Sequence, residues 1–100
     1  MNVNPLEIIN KLDNEFFNDI NKTREMAFKE GALSTKNKLL IAIALDASLG
    51  AVNGVKSLAA QAIKNGAVKE EIIEVLRVVN FITGVGSIYT AAAALNDIFK

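Results

Sequence analysis

A lone carboxylate sits inside an aliphatic stretch of this chain. Asp46 is the only charged residue between Lys38 and Lys56. An acid in that setting can act as a general acid or base, with desolvation raising its pKa. The plainer reading takes precedence: an edge carboxylate that pairs with a Lys or Arg or caps a neighbouring helix. Tyr89 is the sole tyrosine and the only phenolic acid available. Its plainer reading is a packed ring with the hydroxyl at the surface. Lys56 would suit Schiff-base chemistry only if buried, and its polar neighbours point to exposure. Asn53 and Ser57 read as capping and solvent-facing groups. Asn80 interrupts an apolar helix and needs a hydrogen-bond partner, across helices or across a subunit interface.

What is missing narrows the chemistry further. The chain contains no cysteine and no histidine. Disulfides, thiolate nucleophiles and cysteine metal sites are therefore excluded. The commonest general base and metal ligand is absent as well. No metal and no cofactor is expected.

These residues must be positioned by helices, because no stretch alternates as a half-buried strand would. Asn4-Pro5 can start a first helix, and Asp13–Glu15 marks a break before a longer second one. Gly31 is placed to end that helix with a left-handed cap. Ser34 caps a third helix running to about Leu49. Its residues Leu39–Leu45 are apolar on every face, which predicts a fully buried helix. A fourth helix covers about residues 52–65 and ends at Gly66. A fifth starts near Lys69, with Glu70 and Glu71 favourably placed in its first turn. Its apolar face is Ile72, Ile73, Leu76, Val79 and Ile82. Gly84–Gly86 closes it, and Ser87 is placed to cap a last helix. Phe81 and Met26 are assigned to the core. The expected fold is all-α: one domain over residues 1–100, a compact bundle of about six helices. KEGALSTKNKLLIAIA and KNGAVKEEIIEVLRVV echo each other at an offset of 35 residues, and read as two similar helix junctions rather than a solenoid.

The segment Ser34–Leu58, STKNKLLIAIALDASLGAVNGVKSL, resembles the signature region of the carboxymuconolactone decarboxylase and alkyl hydroperoxidase D-like family. NGAVKEEIIEVL is similar to that family too, and the resemblance spans roughly residues 16–97. In the peroxidase branch, a glutamate is followed twelve residues on by C-x-x-C and then x-x-x-H. The resemblance implies a helix N-terminus that stabilises a thiolate, with an acid and an imidazole relaying protons. The matching positions here hold Leu39, Ala51, Gly54 and Leu58, each apolar, small or both. The resemblance therefore implies an alkyl hydroperoxidase D-like fold with a degenerate active site. Leu39, Ile43, Ala47, Ala51, Gly54 and Leu58 would line the vacated pocket.

Composition bears on partners. The chain is 51% hydrophobic but only 6% aromatic, so small aliphatic residues dominate. A domain of this length buries roughly 60–70% of its unfolded surface, and the apolar excess predicts a homo-oligomer. The family resemblance implies dimers to hexamers. Ala91–Ala94 suits close helix contact, within the chain or between copies. Eleven basic residues balance 11 acidic ones, so neither nucleic acid nor an anionic membrane surface is an expected partner. Residues 78–96 carry no charge, yet Asn80, Thr83, Gly84, Gly86, Ser87, Tyr89 and Thr90 interrupt them, unlike the roughly 20 apolar residues of a span. The N-terminus lacks the cationic start of a secretory signal, and a cytoplasmic setting is expected. Two functional readings follow. One is an oligomeric or partner-binding module without thiol peroxidase activity. The other keeps the fold but relocates function, either as acid–base chemistry at Asp46 or Tyr89 or as binding of a small apolar ligand.

Overall fold

Capping residues set most of the helix boundaries. The computed structural model describes residues 4–100; the first three positions, part of the leader reading, lie outside the described residues. Six helices follow in order: α1 (Glu7–Leu12), α2 (Asn14–Phe28), α3 (Thr35–Ser48), α4 (Val52–Lys64), α5 (Lys69–Thr83) and α6 (Val85–Leu95). No strand occurs among the described residues. The Asp13 carboxylate accepts the Phe16 N–H at 3.0 Å, so the expected break is itself the N-cap of α2. Ser34 Oγ accepts the Asn37 N–H at 3.0 Å, as its position predicts. Between α5 and α6 a single residue suffices. Gly84 has φ +90°, a conformation that L side chains rarely adopt, and it ends one helix while starting the next.

The core forms where α3 meets α4, α5 and α6. Leu39, Ile43 and Ala47 recur at four-residue spacing on one side of α3 and are almost fully buried. They pack with Val55, Ala59 and Ala62 of α4, Ile72, Leu76 and Val79 of α5, and Ala91, Ala94 and Leu95 of α6. Alanines at the centres of α4 and α6 let the helices approach closely. α1 and α2 differ from the rest: neither contains a buried residue. The radius of gyration is 14.4 Å, against about 13 Å for a compact domain of this length.

Several expectations need correcting. α3 is not buried on all sides. Ile41, Leu45 and Leu49 are 49%, 59% and 79% exposed, because the four-helix core covers only one side of it. The apolar face of α5 is narrower than expected, since Ile73 and Ile82 point outward. Phe81 and Met26 are exposed rather than core; each lies off the buried stripe of its helix. Gly31 does not take the left-handed conformation, and Lys29 with extended backbone ends α2 instead. Ser87 lies inside α6 and is buried, because Gly84 alone makes the break. No described helix is long and apolar enough to cross a membrane.

The two echoing segments meet at their starts. Lys36 Nζ and Glu71 Oε2 are 2.8 Å apart, and these residues occupy equivalent positions, 35 apart. Glu71 also accepts the Val68 N–H at 3.0 Å, the reciprocal half of a capping box. The Lys36 ammonium, and then the Val68 N–H, hold the Glu71 carboxyl below its ordinary value of 4.5. A depressed folded-state pKa gives stability that is present above the unfolded value and lost as pH falls through the folded one. Glu71→Gln should therefore lower the urea midpoint near neutral pH, and the difference from wild type should shrink as pH falls below about 4.5. Urea titrations across that range check this; a pH-independent difference would remove the ion pair as its source.

Candidate functional site

The candidate site lies at the turn from α3 to α4. α3 ends at Ser48, and the chain reverses through Leu49, Gly50 and Ala51. The Asp46 carbonyl accepts the N–H groups of Leu49 at 3.2 Å and Ala51 at 2.9 Å. Gly50 takes φ +75° to close the turn. Ala51 is the N-cap of α4 and supplies no side-chain oxygen. The first turn of α4 thus presents its partial positive charge without a cap of its own.

The Asp46 carboxylate lies against that turn. A Cβ placed on Gly54 would overlap Asp46 Oδ2 and stand 2.9 Å from its Cγ. Gly54 therefore leaves the space that the carboxylate occupies. Asp46 is half-buried and takes part in neither of the two ion pairs found among the described residues. No buried polar side-chain atom there lacks a partner, so the carboxylate keeps contact with water. It faces a helix N-terminus, where negative charge is favourable.

The positions expected to line a vacated pocket are packed instead. Leu39, Ile43 and Ala47 are 2%, 0% and 1% exposed, and Leu58 packs against the same core. Ala51 and Gly54 are half-buried around the carboxylate. The larger cavities of the described residues involve neither Asp46 nor Tyr89. Tyr89 is exposed on α6, ring included, and no hydrogen bond joins it to Asp46. Lys56 is exposed and pairs with Asp97 at 2.9 Å. Asn53 and Asn80 face solvent, and Ser57 Oγ accepts from Gln61 at 3.1 Å. No group of three or more metal-ligating side chains gathers among the described residues.

One polar feature escaped the sequence reading. Thr83 and Ser87 sit one helical turn apart across the Gly84 break, with their hydroxyls 2.7 Å apart. Together with Ser48, Gly50, Gly86 and Thr90 they edge an open recess of about 390 Å³. Thr83 donates to the Val79 carbonyl at 2.9 Å, which uses its only proton. Ser87 therefore donates to Thr83 and is not paired with a base. The i, i+4 spacing of the two hydroxyls was the available signal, masked by the assumption that Gly84–Gly86 lay outside any helix.

The interlock of Asp46 with Gly54 has a measurable consequence. Gly→Ala inside a helix ordinarily stabilises by about 0.5–1 kcal/mol. Gly54→Ala in the wild-type chain should lose that gain or become destabilising, because the new methyl must displace the carboxylate. In an Asp46→Ala background the gain should return, giving a coupling of about 1–2 kcal/mol. Denaturant unfolding of the double-mutant cycle reads it directly, and equal effects in both backgrounds would count against the contact.

Comparisons with known proteins agree with this fold. The model of the carboxymuconolactone decarboxylase family matches residues 14–97. Among solved structures, the chain is similar to the apo form of a carboxymuconolactone decarboxylase family protein from Legionella pneumophila. The two share 30% sequence identity with a TM-score of 0.86, over 91% of this chain and 81% of that one. No curated protein matches. The family match spans most of the chain and the architecture agrees with it, and we conclude that this chain belongs to the carboxymuconolactone decarboxylase family.

Proposed function

We propose that this protein is a family member with a degenerate active site, without thiol peroxidase activity, acting as a self-associating or partner-binding module in the cytoplasm. One observation carries the reading. The space beside the first turn of α4, where the peroxidase branch is expected to hold its second thiol, is filled by the Asp46 carboxylate over Gly54. Leu39 is buried where an acid would stand, and Leu58 packs where an imidazole would. A thiolate relay needs an ionised sulfur at a helix start with polar partners, and none of these groups is present. Exposed apolar side chains on α3, α5 and α6 support the binding role, since contiguous apolar patches mark interaction surfaces. The balance of 11 basic and 11 acidic residues suits a protein or small-molecule partner better than nucleic acid or an anionic membrane surface.

A second reading, a binder of a small apolar molecule, draws on a different place from the motif. A groove of about 420 Å³ runs between α5 and α6, with Ile72, Leu76, Ile88 and Leu95 among its walls. That volume lies within the usual range of ligand sites.

The test of the first reading is hydroperoxide consumption with a dithiol reductant. Wild type should show none. Installing Ala51→Cys and Gly54→Cys alone should also give little turnover, and the new Cβ at position 54 would collide with Asp46. A variant combining these with Asp46→Ala, Leu39→Glu and Leu58→His should turn over measurably, at a stability cost of about 1–3 kcal/mol for each buried polar group left unpaired. Turnover by pure wild type would end the proposal. A folded but inert five-fold variant would reject the assignment of these positions to the motif.

A further inference from the structure

We propose that the outward face of α3, with the α1–α2 arm beside it, is the surface on which a second copy of this chain docks, and that this docking holds the arm in place. The inference rests on the self-association reading above and assigns it a surface. Ile41, Leu45 and Leu49 recur at four-residue spacing opposite the buried side of α3, so they form one continuous stripe. They are 49%, 59% and 79% exposed. Lys38 is the only charged side chain in line with them. An apolar groove of about 250 Å³ separates the stripe from Phe28 of α2.

The arm is in a matching position. α1 has six residues and α2 has 15, and neither buries a side chain. Helices shorter than about 12–15 residues are marginal without tertiary packing, and α2 barely reaches that length. Ile8, Leu12 and Phe16 of the arm are each more than half exposed. Allowing about 150 Å² for each large apolar side chain, these three and the α3 stripe expose on the order of 550 Å². A standard interface takes about 800 Å² per partner, of which about 450 Å² is apolar. The patch therefore supplies the apolar part of a stable dimer interface.

The pattern selects a second copy over another partner. A two-fold axis through Leu45 sets the two α3 helices antiparallel, with Leu49 of each facing Ile41 of the other. An isologous contact requires such a self-complementary patch. Leu49, the most exposed of the three, then lies towards the groove beside Phe28 on the other copy. The chain is formally neutral, so two copies approach without net repulsion.

Sedimentation equilibrium and amide hydrogen exchange on the full chain test the inference. Wild type should be a dimer or a multiple of one at micromolar concentration, with protected α2 amides. Leu45→Glu sets two carboxylates against each other at the axis, and should weaken association about 100-fold or more. Its mass should fall by half or more, and its α2 amides should exchange at least about 10-fold faster, with α4 and α5 little changed. Leu49→Glu should act in the same direction, and Leu45→Met should retain the assembly. Phe81→Glu, on an exposed site of α5, should leave mass and α2 protection unchanged. An assembly that survives Leu45→Glu and Leu49→Glu but dissociates with Phe81→Glu overturns this surface and leaves the self-association reading intact. A monomeric wild type with protected α2 amides overturns both.

Discussion

α3 is apolar around its whole circumference, and a chain of this length can cover only one side of it. That constraint organises the molecule. Leu39, Ile43 and Ala47 take the covered side and are closed over by α4, α5 and α6. Ile41, Leu45 and Leu49 are left on the other side with nothing from the four-helix core against them. Small domains have too little chain to wrap a central helix completely. A helix that is hydrophobic all round therefore leaves apolar surface for something else to cover.

The turn after α3 shows how a frame persists when its chemistry changes. The relay positions suggested by the family resemblance still fall on two helices that pack together, but apolar side chains now fill them. The anionic place at the start of α4 has not been lost. Asp46 supplies it from the neighbouring helix, and Gly54 gives it room. A carboxylate there meets the same partial positive charge that would favour a thiolate. It has no nucleophilic partner and no bonded base, so the electrostatics of the old arrangement persist without its reactivity.

A second polar element ties the helix starts together. Lys36 and Glu71 hold equivalent places in the two echoing segments, and their ion pair joins the first turns of α3 and α5. Both side chains are partly exposed, and such pairs contribute little by themselves. The burial of Ile43, Ile72 and Val55 is the larger stabilising element. The ion pair serves register: it joins two helix starts whose aliphatic stretches alone would tolerate sliding.

Much of this was legible from residue order. Helix number and most boundaries followed from local signals such as Asp13, Ser34, Gly66 and Gly84, because caps and breakers act within one turn. The absence of cysteine and histidine restricted the chemistry before any fold was known. Other features were not legible, because they depend on which side of a helix meets which neighbour. The exposure of Leu45, Phe81 and Met26 could not be read from hydrophobicity, which ranks side chains but does not say whether enough chain is available to cover them. Asp46 had two readings in the sequence, and only the packing of α3 on α4 brought it over Gly54. The sequence by itself determined the helices and the reactive groups they lack. The tertiary structure decided which apolar faces became core and which remained surface, because burial depends on distant helices meeting and no local pattern records that.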